Sequence, residues 1–257
     1  MSKRYLYSML FLVVYLLGLL ALIPANYLIK QLSPYAPQLE AVGVSGTLWQ
    51  GSVQHLTVDA YELENLSWSL SPFPLLLGQA KIDFISVSAE QSIEGVASVG
   101  LSGDSIELNQ LRVRFPLTQY AHQLQIAEFD LTGQIELQLD YLQYQLGVLD
   151  EGKGALIWRQ AGMGDSLQLG DIQLDWQLQE GKVDGQLSDL DGPVEIEGSL
   201  DLSGAGQYQL NAQFEVKDNS DVSLKQTIRL FGRSIGENRV QLEKDGVLMM
   251  PAGLRLQ

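Results

Sequence analysis

Apolar side chains alternate with polar ones along most of the chain beyond residue 60. Successive side chains of a β-strand point to opposite faces, so this period of two predicts strands with one apolar and one polar face. The parity changes after Tyr141, where a bulge or a strand break is therefore expected. The clearest runs have apolar positions at Leu66, Trp68 and Leu70, at Leu111, Val113, Phe115 and Leu117, at Ile135, Leu137, Leu139 and Tyr141, and at Ile172, Leu174, Trp176 and Leu178.

Turn residues separate the alternating runs. The runs at 194–202 and 208–216 flank the segment SGAGQ, an arrangement that predicts an antiparallel hairpin. The segments LSGD at 101–104 and EKDG at 243–246 predict two further turns.

Gly192 and Pro193 follow the segment Asp189-Leu-Asp191, which is similar to the start of a calcium-binding loop. The later ligands and the closing glutamate of such a loop are missing, so a simple turn is the better interpretation.

Helical patterns are scarce. Pro116 and the residues up to Leu124 allow one short helix, and Asp221 is placed to cap a second. The second has Leu224 and Ile228 on one stripe, which continues to Phe231 and ends at Gly232. The sequence thus predicts a mainly β protein, a curved antiparallel β-sheet domain with one or two short helices.

The first 30 residues predict a single transmembrane helix. No charge occurs from Tyr5 to Ile29, and the 18 residues at 6–23 would span about 27 Å as a helix. A cleaved signal peptide is the alternative, but this apolar core is long and residues 21–25 make a poor cleavage site. Lys3 and Arg4 precede the span, so the N-terminus is expected in the cytoplasm and residues 31–257 on the other side.

The expected exported part is strongly acidic. After residue 30 there are 31 acidic and 13 basic residues, a net charge of −18. Such a surface repels phosphates, so nucleic acid is excluded as a partner, and so is peripheral binding to anionic lipid headgroups. The chain has no cysteine, which excludes disulfides and thiolate metal sites.

Catalytic patterns are absent from the sequence. The two histidines, His55 and His122, belong to no HExxH motif, and there is no GxSxG or CxxC. We therefore predict no enzyme, no cofactor and no metal site.

Glycines frame a tryptophan in the segment Gly46-Thr-Leu48-Trp49-Gln-Gly51. Glycine in a strand allows a bend or a close approach, so Gly46 and Gly51 are expected to bend the sheet, with Trp49 as the wedge between them. A similar segment, Gly154 to Trp158, lies 108 residues later, and Trp68 and Trp176 are 108 residues apart. The match predicts two duplicated halves, about 40–145 and 146–257, with chance similarity of β-rich segments as the alternative.

Several of these segments resemble the type II secretion system protein N family. They are VSGTLWQG at 44–51, LSWSLSPFPLLLGQAKID at 66–83, TGQIELQLDYL at 132–142, GALIW at 154–158 and LDGPVEIEG at 190–198. Within the second segment, Trp68, Pro72, Leu76 and Gly78 match the family's pattern. The resemblance implies a single-span protein of the bacterial inner membrane with a periplasmic β-rich domain. It also implies an accessory, non-enzymatic role in exporting folded proteins across the outer membrane, through contacts with other secretion subunits.

A weaker resemblance, carried by the glycine–leucine–tryptophan element, is to AsmA-like proteins. It implies an alternative function, an apolar trough that binds or transfers lipid between the two membranes, with acyl chains as partners. The two alternatives differ in whether the apolar face, with Leu66, Trp68 and Leu174 among its members, forms a dry core or stays open.

Overall fold

The structure is a computed structural model of the chain. It describes residues 7, 11–12, 15, 18, 22–27, 39–58, 61–120, 130–164, 167–218, 221–230 and 232–247. Packing divides the chain into two units, unit 1 at Met1–Ala89 and unit 2 at Glu90–Gln257.

Between residues 39 and 87, unit 1 contains five strands and one short helix. They are β1 (Leu39–Val42), β2 (Ser45–Gly46), β3 (Gln50–Val58), β4 (Tyr61–Ser71), α1 (Pro72–Leu75) and β5 (Gln79–Val87). The strands pair in the order β1-β3-β4-β5, and β2 also pairs with β3. All of these pairs are antiparallel.

Unit 2 contains ten strands and two short helices among its described residues. They are β6 (Ser92–Gly100), β7 (Ser105–Pro116), α2 (Leu117–Tyr120), β8 (Leu131–Gln145), β9 (Val148–Met163), β10 (Leu167–Gln179), β11 (Lys182–Asp191), β12 (Val194–Ser203), β13 (Gln207–Val216), α3 (Val222–Ile228), β14 (Arg233–Ser234) and β15 (Arg239–Val247). Consecutive strands pair from β6 to β13, followed by β15 and then β14. The mainly β, antiparallel class is thus confirmed, whereas the curvature and the duplication stay predictions.

The alternation predicted the local pairing well. Val194 pairs with Val216 and Leu202 with Tyr208, so the predicted hairpin is confirmed. The LSGD turn joins β6 to β7, and the N–H of Gly103 donates to the carbonyl of Gly100 at 2.8 Å.

The expected irregularity near Tyr141 is also confirmed. The register between β8 and β9 shifts between Leu139 and Tyr141, which leaves Asp140 as the extra residue. The shift lets apolar side chains of both parities along one strand reach the same side of the sheet.

The predicted turn at EKDG is wrong. Residues 243–246 continue β15, where Tyr208 of β13 pairs with Gly246. The ring of Tyr208 covers that glycine, since a Cβ there would lie 2.8 Å from Cε1 of the ring. Pairing with a long neighbouring strand thus overrides the turn preference of the Asp-Gly pair.

Both short helices begin where they were expected, but α3 ends at Ile228, four residues before the predicted stop at Gly232. α2 begins immediately after Pro116, and its predicted continuation towards Leu124 lies outside the described residues. The carboxylate of Asp221 caps α3 by accepting from the N–H of Leu224 at 2.9 Å.

α3 packs on one end of the apolar face of unit 2. Leu224 and Ile228 are buried there together with residues from five strands. The strand residues of this cluster are Ala161, Leu167, Leu169, Val194, Ile196, Val216 and Val240.

The predicted membrane span falls largely outside the described residues. Tyr7, Phe11, Leu12, Tyr15 and Gly18 are described, and all five are helical and exposed. Among the described residues, no helix has both the length and the apolarity to cross a bilayer. Lys3 and Arg4 lie outside the described residues, so the topology stays a prediction.

Candidate functional site

The glycine-framed segment of unit 1 forms a tight β2–β3 hairpin. Gly46, with a φ of 84°, pairs directly with Gly51, and Leu48 and Trp49 lie in the turn between them. The N–H of Thr47 donates to the carbonyl of Gln50 at 2.7 Å and closes the turn. A positive φ favours glycine, so the turn depends on Gly46.

The ring that lies over this hairpin belongs to Trp68 of β4 rather than to Trp49. Trp68 pairs with Gly51, and a Cβ on Gly51 would lie 2.7 Å from Cη2 of the indole. The indole Nε1 also donates to the carbonyl of Leu48 at 3.1 Å. Trp68 thus closes the hairpin by packing on one glycine and by satisfying a turn carbonyl.

The same hairpin binds the end of the N-terminal apolar stretch. Pro24 forms a β-bridge with Thr47, and the N–H of Leu48 donates to the carbonyl of Ile23 at 2.9 Å. Ala25 is buried in this contact region, at 1% exposure. On the other side of the turn, the N–H of Leu70 donates to the carbonyl of Trp49 at 2.7 Å. The turn therefore connects residues 23–25 to the end of β4.

Pro72 and Gly78 delimit a strongly apolar tip between β4 and β5. Pro72 is the first residue of α1, and Gly78 leaves the turn with a φ of 80°. Between them, Phe73, Leu76 and Leu77 are 79%, 83% and 84% exposed. Three large apolar side chains are thus exposed together at one tip. The surfaces of soluble monomeric proteins rarely carry such a contiguous apolar patch.

Glycines also flank one tryptophan of unit 2. Trp176 of β10 lies between Gly154 of β9 and Gly185 of β11. A Cβ on Gly154 would lie 3.0 Å from Cζ2 of that indole. The indole Nε1 of Trp158 donates to the backbone carbonyl of Thr132 at 2.8 Å. In unit 1, the indole Nε1 of Trp68 likewise donates to a backbone carbonyl, that of Leu48.

The strand register changes one equivalence drawn from the sequence. Gly154 faces Trp176, whereas Gly46 faces Gly51, and it is Gly51 that faces Trp68. The equivalence of Gly46 and Gly154 is therefore wrong, because strand pairing depends on register as well as on spacing along the chain.

Gly192 and Pro193 form the short connection between β11 and β12, as the sequence predicts. The backbone of Gly192 approaches Leu169 and Gly170 so closely that a Cβ on it would lie 2.8 Å from the Cα of Gly170. The carbonyl of Pro193 accepts from the N–H of Lys217 at 2.9 Å. The connection thus holds the buried end of the sheet near Val194.

Asp189 has a role that the sequence did not reveal. Its carboxylate accepts from the N–H of Ile196 at 2.9 Å and from Nζ of Lys217 at 2.7 Å. Burial raises the pKa of Asp189, but these two hydrogen bonds outweigh it and hold the pKa below its ordinary value of 3.8. One carboxylate thus connects β11, β12 and the segment after β13. In the sequence, the position of Asp189 shortly before Asp191 and Gly192 indicated only a turn.

A second ionic cluster fixes a bulge in β9. Gln160 has a φ of 50°, and its N–H donates to Asp171 at 2.8 Å. Arg159 donates to the other oxygen of Asp171 at 2.8 Å and to Glu136 at 3.3 Å. The hydrogen bond from Gln160, followed by that from Arg159, lowers the pKa of Asp171. The cluster connects three neighbouring strands and is structural.

The open part of the unit 2 apolar face lies away from α3. Leu178 is fully buried, but the other side chains of this stretch are only half-buried. The half-buried members are Leu156, Leu174, Trp176, Leu200 and Leu210. The face is therefore dry and closed at the α3 end and partly accessible along the rest.

The last strands of unit 2 leave one edge partly uncovered. β14 pairs with β15 only at Val240 and Gln241. Within the part of the chain that the structure describes, no strand covers the outer side of β15 from Leu242 to Val247. Such an edge can accept a further strand.

The described side chains offer little chemistry. His55 is exposed on β3, and His122 lies outside the described residues. Among the described residues, no group of three or more His, Cys, Asp or Glu side chains could hold a metal ion.

The comparisons with known proteins point to one family. A sequence model described as "Type II secretion system (T2SS), protein N" matches residues 37–243. The type II secretion system protein N of Vibrio cholerae is 28% identical over 256 residues, covering 96% of this chain and 100% of the relative. The protein of the same name from Aeromonas hydrophila is 27% identical over 264 residues, covering 96% and 99%. No solved structure matches the chain significantly.

Proposed function

Because the chain belongs to the type II secretion system protein N family, we propose that it is an accessory, non-enzymatic subunit of that system. It supports the export of folded proteins across the outer membrane through contacts with other secretion subunits. The observation that carries this proposal is the match over residues 37–243, which includes most of the strands of both units.

The protein is held in the inner membrane by its N-terminal apolar stretch. Residues 5–29 carry no charge, and the large side chains of Phe11, Leu12 and Tyr15 are between 55% and 73% exposed on helical backbone. A helix with apolar side chains exposed in this way is stable in a bilayer. With Lys3 and Arg4 ahead of the stretch, the N-terminus lies in the cytoplasm and residues 31–257 lie in the periplasm.

The uncovered edge of β15 is the contact surface for a secretion subunit. An extended segment of the partner adds a strand there, so main-chain hydrogen bonds supply affinity and alternate side chains supply specificity. Residues 242–247 provide this edge, and Asp245 and Val247 are exposed on it.

Photocrosslinking in intact cells tests this role. The crosslinking amino acid p-benzoylphenylalanine is placed at Asp245 on the edge or, as a matched control, at Gln209. Gln209 pairs with Asp245 and is also exposed, but its strand β13 has neighbours on both sides. We expect adducts with secretion subunits from Asp245 and few from Gln209. Equal adducts from both positions would argue against the edge, and recovery of lipid-transport proteins alone would argue against the secretion role.

A second candidate function is supported by the half-buried apolar face of unit 2. Leu174, Trp176 and Leu200 offer an apolar surface to acyl chains, and each methylene that leaves water contributes about 0.8 kcal/mol. The candidate role is lipid binding or transfer between the two membranes.

A photoreactive phospholipid tests the second candidate on the full chain. Labelling of peptides from β10 to β12, abolished by Leu200→Glu, supports lipid binding by this face. Labelling confined to the N-terminal apolar stretch rejects it, because that stretch contacts lipid in either case.

A further inference from the structure

The apolar tip of unit 1 lies close to the N-terminal apolar stretch. Two backbone hydrogen bonds connect them through one turn, from Leu48 to Ile23 at 2.9 Å and from Leu70 to Trp49 at 2.7 Å. Leu70 precedes the first residue of α1 by only two positions. The tip therefore lies at the same end of the unit 1 sheet as the residues that leave the apolar stretch.

The chemistry of the tip is suited to a bilayer. No charged residue occurs from residue 65 to residue 80, and Phe73, Leu76 and Leu77 are 79%, 83% and 84% exposed. By contrast, Leu101 and Leu146 are exposed leucines that stand singly in turns. Single exposed apolar residues are ordinary, whereas three adjacent ones mark a binding surface.

The backbone of the tip is also prepared for an apolar environment, where unpaired polar groups are costly. The N–H groups of Leu76, Leu77 and Gly78 donate to carbonyls within the tip, at 3.1, 2.9 and 3.1 Å. The first N–H groups of a helix have no acceptor within the helix. Because Pro72 and Pro74 have no N–H, two such unpaired donors are missing from α1. The tip thus enters an apolar layer with few backbone groups left to satisfy.

We propose that the α1 tip, with Phe73, Leu76 and Leu77, inserts into the periplasmic leaflet of the inner membrane as a second membrane contact. The inference rests on the proposed N-terminal anchor, which brings this end of the sheet to the bilayer. Lys81, exposed and paired with Ser71 at the base of the tip, lies where lipid phosphates would meet it. Two contacts fix the orientation of unit 1 on the membrane, which one helix alone leaves free to rotate.

Site-specific fluorescence in lipid nanodiscs tests the inference on the full chain. The chain has no cysteine, so Leu76→Cys, Leu12→Cys and Val87→Cys each provide one site for an environment-sensitive dye. Val87 is exposed at the far end of β5, about 26 Å along the strand from Gln79. We expect a blue shift and quenching by brominated lipids at Leu12→Cys and Leu76→Cys, and neither at Val87→Cys. Adding Leu77→Asp to Leu76→Cys should remove the quenching.

The outcomes separate the two proposals. Quenching at Leu12→Cys with a Leu76→Cys signal like that of Val87→Cys overturns the tip insertion and leaves the anchor in place. Absence of quenching at Leu12→Cys overturns the anchor, and the tip inference with it. A blue shift at Leu76→Cys in native membranes, combined with no quenching of this site in brominated nanodiscs, means that a protein partner covers the tip, which also overturns the inference.

Discussion

Trp68 and Gly51 face each other across β3 and β4, and the indole occupies the space that a side chain on Gly51 would need. The ring also donates a hydrogen bond to the turn carbonyl of Leu48. One residue pair thus maintains the hairpin that connects the N-terminal stretch to β4.

Gly51→Ala is expected to destabilise unit 1. The new Cβ meets the indole of Trp68 on one side and the carbonyl of Ser45 at 2.8 Å on the other, so neither neighbour can yield freely. Overpacking of this kind costs about 1–3 kcal/mol. Urea unfolding of the full chain, followed by tryptophan fluorescence, measures the loss. Gly236→Ala is the control, since a Cβ there would meet only Arg239 Cβ at 3.6 Å. Equal stability of the two variants would contradict this account of Gly51.

Ile228→Ala is expected to open the closed end of the unit 2 core. Ile228, the last residue of α3, is 1% exposed, so its truncation leaves a cavity and should cost about 2–5 kcal/mol. Leu230→Ala is the matched control two residues later, because Leu230 is 84% exposed. Its effect should stay within about 0.5 kcal/mol. Thermal unfolding of both variants decides, and a small effect of Ile228→Ala would mean that α3 does not seal this end.

Asp189 is expected to contribute stability that depends on pH. Its folded pKa is lowered, so the contribution is present above the unfolded pKa and disappears as the pH falls through the folded pKa. Asp189→Asn should therefore cost about 1 kcal/mol at pH 7, through the lost charged hydrogen bond with Lys217. The difference from the wild type should begin to shrink as the pH falls below 3.8 and should vanish below the lowered folded pKa. Denaturant unfolding across this range measures it, with the exposed Asp184→Asn on the same strand as control. A difference that stays constant with pH would refute the ionic role.

Leu12→Arg is expected to weaken membrane anchoring. An arginine near the centre of a spanning helix costs about 2.5–3.5 kcal/mol on the insertion scale, whereas phenylalanine is favourable there. Carbonate extraction of membranes measures the fraction that stays bound, with Leu12→Phe as the matched control. Full retention of the Leu12→Arg protein would remove the main support for the anchor.

The sequence predicted local strand geometry because the alternation of side chains is itself a local property. The hairpin from Val194 to Val216 has two runs of correct parity around a glycine-containing loop, and its strands pair in one register from Val194–Val216 to Leu202–Tyr208. The bulge near Tyr141 was predictable for the same reason, since a change of parity requires an extra residue.

Long-range relations were not predictable in this way. Gly46 and Gly154 occupy similar places in the sequence, but their partners are fixed by neighbouring strands. The Asp245-Gly246 pair favours a turn locally, yet pairing with β13 keeps it extended. The bridging role of Asp189 depends on Lys217, which is 28 residues away in the sequence.

The α1 tip was visible in the sequence only as a family match. Pro72, Leu76 and Gly78 were recognised as parts of a pattern, and apolar residues in a row usually predict burial. Exposure of Leu76 and Leu77 follows from their place at the end of a β4–β5 connection, beyond the last strand pairs. Periodicity carries no information about such a position.

The bridge between Pro24 and Thr47 has a mechanical consequence. A lateral force on the apolar stretch displaces the β2–β3 turn as well, because Ile23 is hydrogen-bonded to Leu48 and Pro24 is bridged to Thr47. The displacement passes through Trp49 to Leu70 and so to the strand that carries Trp68. A force applied to residues 23 and 24 is therefore transmitted directly to β3 and β4 of unit 1.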